Sequence, residues 1–319
     1  MSIVLTGSVA FDYLMTFPGY FREQIIPEKL DCISLSFLVD TLTRQRGGIA
    51  PNIAYTLALL GDSPKVAATV GQDFEEYRAW LEAKGVDTTY IKVIADKFTA
   101  SFFENTDLAN NQIASFYTGA MADAGQVSLK DMKAGEADYV VISPNDPGAM
   151  DQYVRECGEL GIPYLYDPSQ QIARNDHAEL RRGVEGAQAV FCNDYEYELL
   201  QKHTGLSSAD IEKTVELLVV TLGEKGAVVK SKGQTYNIPV VPAVQIVDPT
   251  GVGDAFRGGF LRGYHLGLDL QTCGQMGALA ATYVLEQKGT QNHHYTLDEF
   301  VKRYREHFND HGVLDVLRK

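Results

Sequence analysis

Apolar positions recur along this chain with two different periods, and the change from one to the other divides it. Residues 3–5 form a short apolar run ending at Gly7 and Ser8, which predicts a first strand. Residues 50–60 carry apolar side chains at helical spacing and stop at Gly61, a fitting helix terminus. A strand over 65–70 and a helix over 74–84, closed by Gly85, follow. From residue 128 the rhythm is regular. Strands predicted at 138–142, 163–166 and 188–192 alternate with helices near 147–160, 177–184 and 194–203. Such alternation predicts a parallel sheet covered by helices. A strand over 216–221 and a hairpin of 227–231 with 235–238 come next, before helices at 254–266, 272–286 and 297–307.

Two stretches break that rhythm. Residues 11–46 carry aromatics, prolines and short alternating pieces, among them 34–39, and read as strands of a small flap. Residues 98–103 and 112–117 alternate like strands around the polar stretch 105–111, which predicts a hairpin. Both stretches interrupt the α/β pattern from within. The expectation is one α/β domain over residues 1–319, with a lid made by insertions at about 11–46 and 98–118.

Composition narrows the function. With 45% hydrophobic residues the chain can fill a core unaided. Its 28 Lys and Arg against 42 Asp and Glu leave a net charge of −14 and no basic cluster, which argues against a surface that tracks a nucleic-acid backbone. Cys32, Cys157, Cys192 and Cys273 form no CxxC pair, so free thiols in a reducing cytoplasm are expected. No apolar run approaches membrane-spanning length.

The sharpest chemistry is at residues 248–259, Asp-Pro-Thr-Gly-Val-Gly-Asp-Ala-Phe-Arg-Gly-Gly. A short strand over 244–247 is expected to lead into the Gly251-Val252-Gly253 turn, with a helix beginning at Asp254. Glycines let backbone N–H groups converge, and a helix N-terminus adds partial positive charge, so the turn is suited to a transferring phosphoryl group. Asp254 stands beside it as a proton acceptor for an attacking hydroxyl; the bland alternative is a helix cap. The segment lacks GxxxxGK and the third glycine of GxGxxG, which weakens a P-loop or dinucleotide reading. Weaker signals are Gly47-Gly48 with Asn52 at a helix start, and Asn193 with Glu196 after a strand. Thr221-Leu222-Gly223 with Gly226, and Asp12 past the first strand, complete them. Each taken alone is as well explained by a turn, a cap or a surface carboxylate. Arg257 could face the phosphate or make a structural ion pair. His293 and His294 read as surface loop, and Trp80 and Cys192 as core.

Together and in this order, these motifs resemble the ribokinase-like (PfkB) kinase family from Gly7 to about Thr290. The resemblance implies a central sheet flanked by helices, with a small β lid over the acceptor. It also implies Asp254 as catalytic base and Gly251, Val252 and Gly253 as anion hole. Ser8, Asp12, Ser36, Gly48, Asn52, Phe102 and Phe116 would hold the acceptor. Asn193, Glu196, Thr221, Gly223 and Gly226 would serve ATP, Glu196 through the water shell of Mg²⁺. Asp248 and Thr250 stand where some members bind a monovalent cation such as K⁺. Pro249 departs from the Thr of many members and removes one N–H.

Within the family, residues 34–39, 111–121 and 284–291 are most similar to bacterial-type adenosine kinases. Phe37, Phe102, Phe103 and Phe116 would offer flat faces to a purine, although strand alternation puts Phe102 and Phe103 on opposite sides. Another nucleoside, ribose or fructose is the alternative acceptor, and a non-catalytic nucleoside- or sugar-binding regulator the alternative class. A homodimer through the lid edge is a further expectation.

Overall fold

The computed structural model describes residues 2–318. In chain order its strands are β1 (Ile3–Thr6), β2 (Ala10–Thr16), β3 (Thr41–Gly47), β4 (Lys65–Gly71), β5 (Ile91–Ile94), β6 (Ala100–Thr106), β7 (Gln112–Tyr117), β8 (Tyr139–Ile142), β9 (Tyr164–Tyr166), β10 (Ala189–Asn193), β11 (Leu217–Thr221), β12 (Ala227–Ser231) and β13 (Gln234–Ile238). They form a nine-stranded sheet, β13-β12-β11-β10-β9-β8-β1-β4-β5, and a four-stranded sheet, β3-β2-β6-β7.

The large sheet is parallel from β11 to β5, and only β12 runs against it, pairing antiparallel with both β11 and β13. Its central strands are mostly apolar because both faces are covered, while the edge strands β13 and β5 carry polar, exposed residues. Period two sends Ile3 and Leu5 into one layer, under the helices Ile49–Leu59, Val252–His265 and Leu270–Leu285. Val4 goes into the other, under Pro147–Leu160 and His177–Gly186. Each fully buried side chain such as Leu5 contributes about 1.5–3 kcal/mol of transfer free energy.

The small sheet obeys the same period with a different result. Asp12 stands opposite Phe102, and Phe102 opposite Phe116, so these three share one face. Tyr13 and Phe103 stand opposite each other on the reverse face, their rings stacked 4.8 Å apart. The predicted separation of Phe102 from Phe103 holds.

Four local expectations are corrected. Residues 34–39 are not a strand: they run without regular structure between Cys32 and β3, and Phe37 packs edge-on against Phe17 and Phe21. Residues 244–247 join no sheet. Val244 and Ile246 stand 89% and 77% exposed, and the Val247 N–H bonds Leu285 O at the end of a helix instead. The helix after the Gly251-Val252-Gly253 turn begins at Val252, two residues before the expected start. His293 is not a surface residue; it lies 1% exposed with its ring against Tyr55, where burial and the neighbouring His294 push its pKa down to about 4.

Candidate active site

Gly251 caps the helix Val252–His265 at a φ of +79°, a left-handed conformation that glycine adopts without strain. A side chain there would also meet Thr290 Cγ2 at 2.8 Å, and one on Gly253 would meet Arg257 Nη1 at 2.8 Å. Gly251 is therefore required at the turn, and Gly253 leaves room beside Arg257. The N–H groups of Gly253 and Asp254 have no protein acceptor among the described residues. They lie at the positive end of a 14-residue helix. Thr250, Gly251, Gly253 and Asp254 form one wall of a cleft of about 540 Å³.

Gly48 starts the second wall in the same manner. Its φ is +96°, and a side chain would run into Ser8 O at 2.5 Å. That close approach docks the helix Ile49–Leu59 against the end of β1 and brings Ser8, Gly48 and Asn52 into the cleft. The C-terminal ends of β10 and β11 supply Asn193, Glu196 and Thr221, as expected of an open α/β sheet. The small sheet forms the roof with Ala10, Asp12, Phe102 and Phe116.

Asp254 is the third residue of its helix, where the helix N-terminus favours the anion. Burial outweighs this and raises its pKa to about 6, with Glu196 and Asp12 pushing the same way and Arg257 and Asn52 opposing. Its Oδ2 accepts from Asn52 Nδ2 at 2.8 Å, while Oδ1 takes no protein hydrogen bond among the described residues. Asp12 is likewise raised to about 6, by burial first and then by Glu104 and Asp248. Its carboxylate accepts nothing from the protein described, and both oxygens are available to ligand hydroxyls.

Arg257 makes the ion pair the sequence allowed, buried against Asp167, with Nη2 to Oδ1 at 2.8 Å and Nε to Oδ2 at 2.5 Å. It also lines the cleft. Asn193 and Glu196 do form a helix cap, each side chain bonding the other's backbone N–H. Ser169 Oγ donates to the other Glu196 oxygen at 2.9 Å. A carboxylate so engaged suits a hydrated Mg²⁺, which keeps its waters and takes few direct protein ligands. No cluster of three acidic, His or Cys side chains able to cage a metal occurs among the described residues. Asp248 accepts N–H groups from Thr250 at 2.9 Å and Gly289 at 3.0 Å, which hold it below the usual carboxylate range against partial burial. Each oxygen keeps lone-pair capacity for a cation.

Not every expected residue arrives. Ser36 is exposed and off the cleft, because its segment has no strand partner. Gly223 and Gly226 do not line it; Gly226, at a φ of +90°, is required where the hairpin turn presses on Ile238 O. Val252 packs on the core, and Asp248 braces the turn from behind. The cleft also holds residues to which no motif assigned a role: Ala10, Ile49, Ser169, Gln170 and Thr290. Ser169 and Gln170 follow the end of β9, where the strand-end rule would have pointed.

Residues 10–296 match the family described as pfkB family carbohydrate kinase. The chain belongs to that family. A nucleoside kinase of Burkholderia thailandensis, solved in complex with inosine, matches this PfkB-family kinase with a TM-score of 0.85 and 37% identity, over 96% of this chain and 98% of its own. The nucleoside kinase of Methanocaldococcus jannaschii, an archaeal member of the ribokinase family, gives 0.86 and 28%, over 96% and 99%. The nucleoside kinase of Methanothermobacter thermautotrophicus is 31% identical over 312 residues, 95% of each chain. The fold is ribokinase-like, a mostly parallel helix-covered sheet with a smaller sheet as lid.

Proposed function

We propose that this kinase transfers the γ-phosphoryl group of ATP to the 5′-hydroxyl of a purine nucleoside, with adenosine the first acceptor to test. The observation that carries the proposal is the composition of the two cleft surfaces. One presents a bare glycine turn, free N–H groups and a carboxylate with an unoccupied oxygen. The other presents a carboxylate without protein donors beside two phenylalanines on one sheet face. The first surface suits phosphoryl transfer to an alcohol, the second a ribose attached to a flat base. The Burkholderia thailandensis enzyme, solved with inosine and with ADP-inosine, supports a nucleoside over a free sugar.

In this reading Asp12 accepts from the vicinal ribose hydroxyls, and Phe102 with Phe116 cover the base. Asp254 Oδ1 takes the proton of the 5′-hydroxyl. Phosphoryl transfer has a loose transition state, so alignment of that hydroxyl matters more than basicity. The Gly253 and Asp254 N–H groups receive the charge spread over the transferring oxygens. Asn193, Glu196 and Thr221 line the nucleotide end, where Mg²⁺ would neutralise phosphate charge. Asp248 and Thr250 are available to a monovalent cation that would brace the turn.

The test is ADP release from Mg-ATP with adenosine, inosine, guanosine, cytidine, ribose and fructose, with the Asp254→Asn protein alongside. Turnover confined to nucleosides and lost in the variant is expected. Turnover with a free sugar alone would move the acceptor and make Phe102 and Phe116 lid packing. Nucleoside binding without any turnover would favour a non-catalytic regulator.

A further inference from the structure

Gln291 and Tyr77 belong to no motif given a role above, yet both are nearly inaccessible, at 3% and 1% exposure, and a chain of hydrogen bonds runs through them to Asp254. Tyr77 Oη donates to Gly47 O at 3.0 Å. Gln291 Nε2 donates to Tyr77 Oη at 2.5 Å and to Asn52 Oδ1 at 2.7 Å. Asn52 Nδ2 donates to Asp254 Oδ2 at 2.8 Å.

The direction of this chain is dictated from its far end. A carbonyl oxygen only accepts, so the single hydroxyl proton of Tyr77 is committed to Gly47. Burial pushes the Tyr77 phenol up, which keeps that proton in place. The Tyr77 oxygen must then accept, and from Gln291 only the amide nitrogen can give. The same NH₂ group has its second hydrogen aimed at Asn52, which must answer with its oxygen. The Asn52 nitrogen is left facing the carboxylate. A flipped Asn52 amide would set oxygen against oxygen at Asp254 and nitrogen against nitrogen at Gln291.

We propose that Gln291 and Tyr77 are positioning residues for phosphoryl transfer, holding the Asn52 amide so that it donates to Asp254 Oδ2 and leaves Oδ1 aimed at the acceptor hydroxyl. This rests on the reading of Asp254 as the base. The other charged groups that face Asp254 are Arg257 on its own helix, Glu196 after β10 and Asp12 on β2, with Asp167 after β9 behind Arg257. None is altered when Gln291 or Tyr77 is replaced. Gln291→Glu adds a buried carboxylate that would itself raise Asp254, so the acid limb reports the Asn52 bond in Gln291→Met and Tyr77→Phe, which add no charge.

The experiment measures kcat and KM for adenosine and for inosine, with Mg-ATP, from pH 5 to 8. The proteins are the unmodified enzyme, Gln291→Glu, Gln291→Met, Tyr77→Phe and Asp254→Asn. Gln291→Glu replaces the donor with an acceptor and frees the Asn52 amide to turn. Its kcat should fall about 10- to 100-fold, the loss of one hydrogen bond to a charged group, with KM nearly unchanged. Its acid limb should move up by at least about one pH unit, because a bond that stabilised the ionised carboxylate is gone and the new carboxylate repels it. Gln291→Met, which keeps the volume without a buried charge, and Tyr77→Phe should move both quantities in the same direction by less. Thermal unfolding establishes which variants are folded. A folded Gln291→Met or Tyr77→Phe protein whose kcat drops while its acid limb stays put would make these residues structural and overturn the proposal. So would unchanged kcat and pH profile in both. If Asp254→Asn keeps full turnover, the base assignment itself fails, a separate result.

Discussion

Lowering the pH from 7.5 to 5 should remove activity through two carboxylates at once. Asp254 and Asp12 are both raised to about 6, chiefly by burial. The proposed reaction needs both ionised, one to take the proton and the other to accept from ribose hydroxyls. At one unit below its pKa a carboxyl is about one-eleventh ionised. Two independent groups are then ionised together in about 1 molecule in 120, so kcat/KM should fall roughly 100-fold with a limiting slope of two. The Asp12 charge is already among the causes that raise Asp254, so the two titrations are coupled across the cleft. Kinetics at subsaturating adenosine, with ADP quantified directly by chromatography, would read this without interference from coupling enzymes. Asp12→Asn should reduce the slope to one while raising KM. A slope of one in the unmodified enzyme would remove Asp12 from acceptor binding. A midpoint near 4 would refute the argument that burial sets these two pKa values.

Arg257→Met should lower unfolding stability by about 3–5 kcal/mol in urea titrations, because it strands the buried Asp167 carboxylate; Arg257→Met with Asp167→Asn should recover much of that loss. An equal loss in the single and double variants would show that volume, not charge, is at issue. Phe102→Ala should raise the KM for a nucleoside, whereas Phe103→Ala on the opposite face should leave KM unchanged and lower stability by removing its stack on Tyr13. The two effects exchanged would reverse the facing of the small sheet.

What could be read along the chain depended on whether its cause was local. Residues 138–142 announce a doubly covered strand because Tyr139–Ile142 is apolar at every position. The turn at Gly251 was legible because its backbone conformation selects glycine directly. Residues 34–39 and 244–247 show the same short-range patterns as true strands, but the neighbour that would pair with them is missing, and no local signal carries that information. The site divides in the same way. Asp254, Gly48, Asn52 and Glu196 sit at element starts, where residue type and position betray them. Gln291 meets Asn52 across 239 residues of sequence, and Ser169 meets Glu196 across 27. Their roles arise only when loops are brought together.

The pairing of Asp12, Phe102 and Phe116 across β2, β6 and β7 separates two kinds of inheritance within one protein. The residues that would choose an acceptor lie on a single row of the small sheet, each on its own strand. The residues proposed for the chemistry lie on helix starts of the large sheet, behind Gly48 and Gly251, whose left-handed backbone and close contacts disfavour a side chain. Divergence can therefore revise which molecule is accepted by changing one or two side chains on that row, without renegotiating the machinery beneath it. Point changes on the row should alter preference gradually. A one-residue insertion ahead of Asp12, Phe102 or Phe116 in its strand would turn that member of the row to the opposite face in a single step.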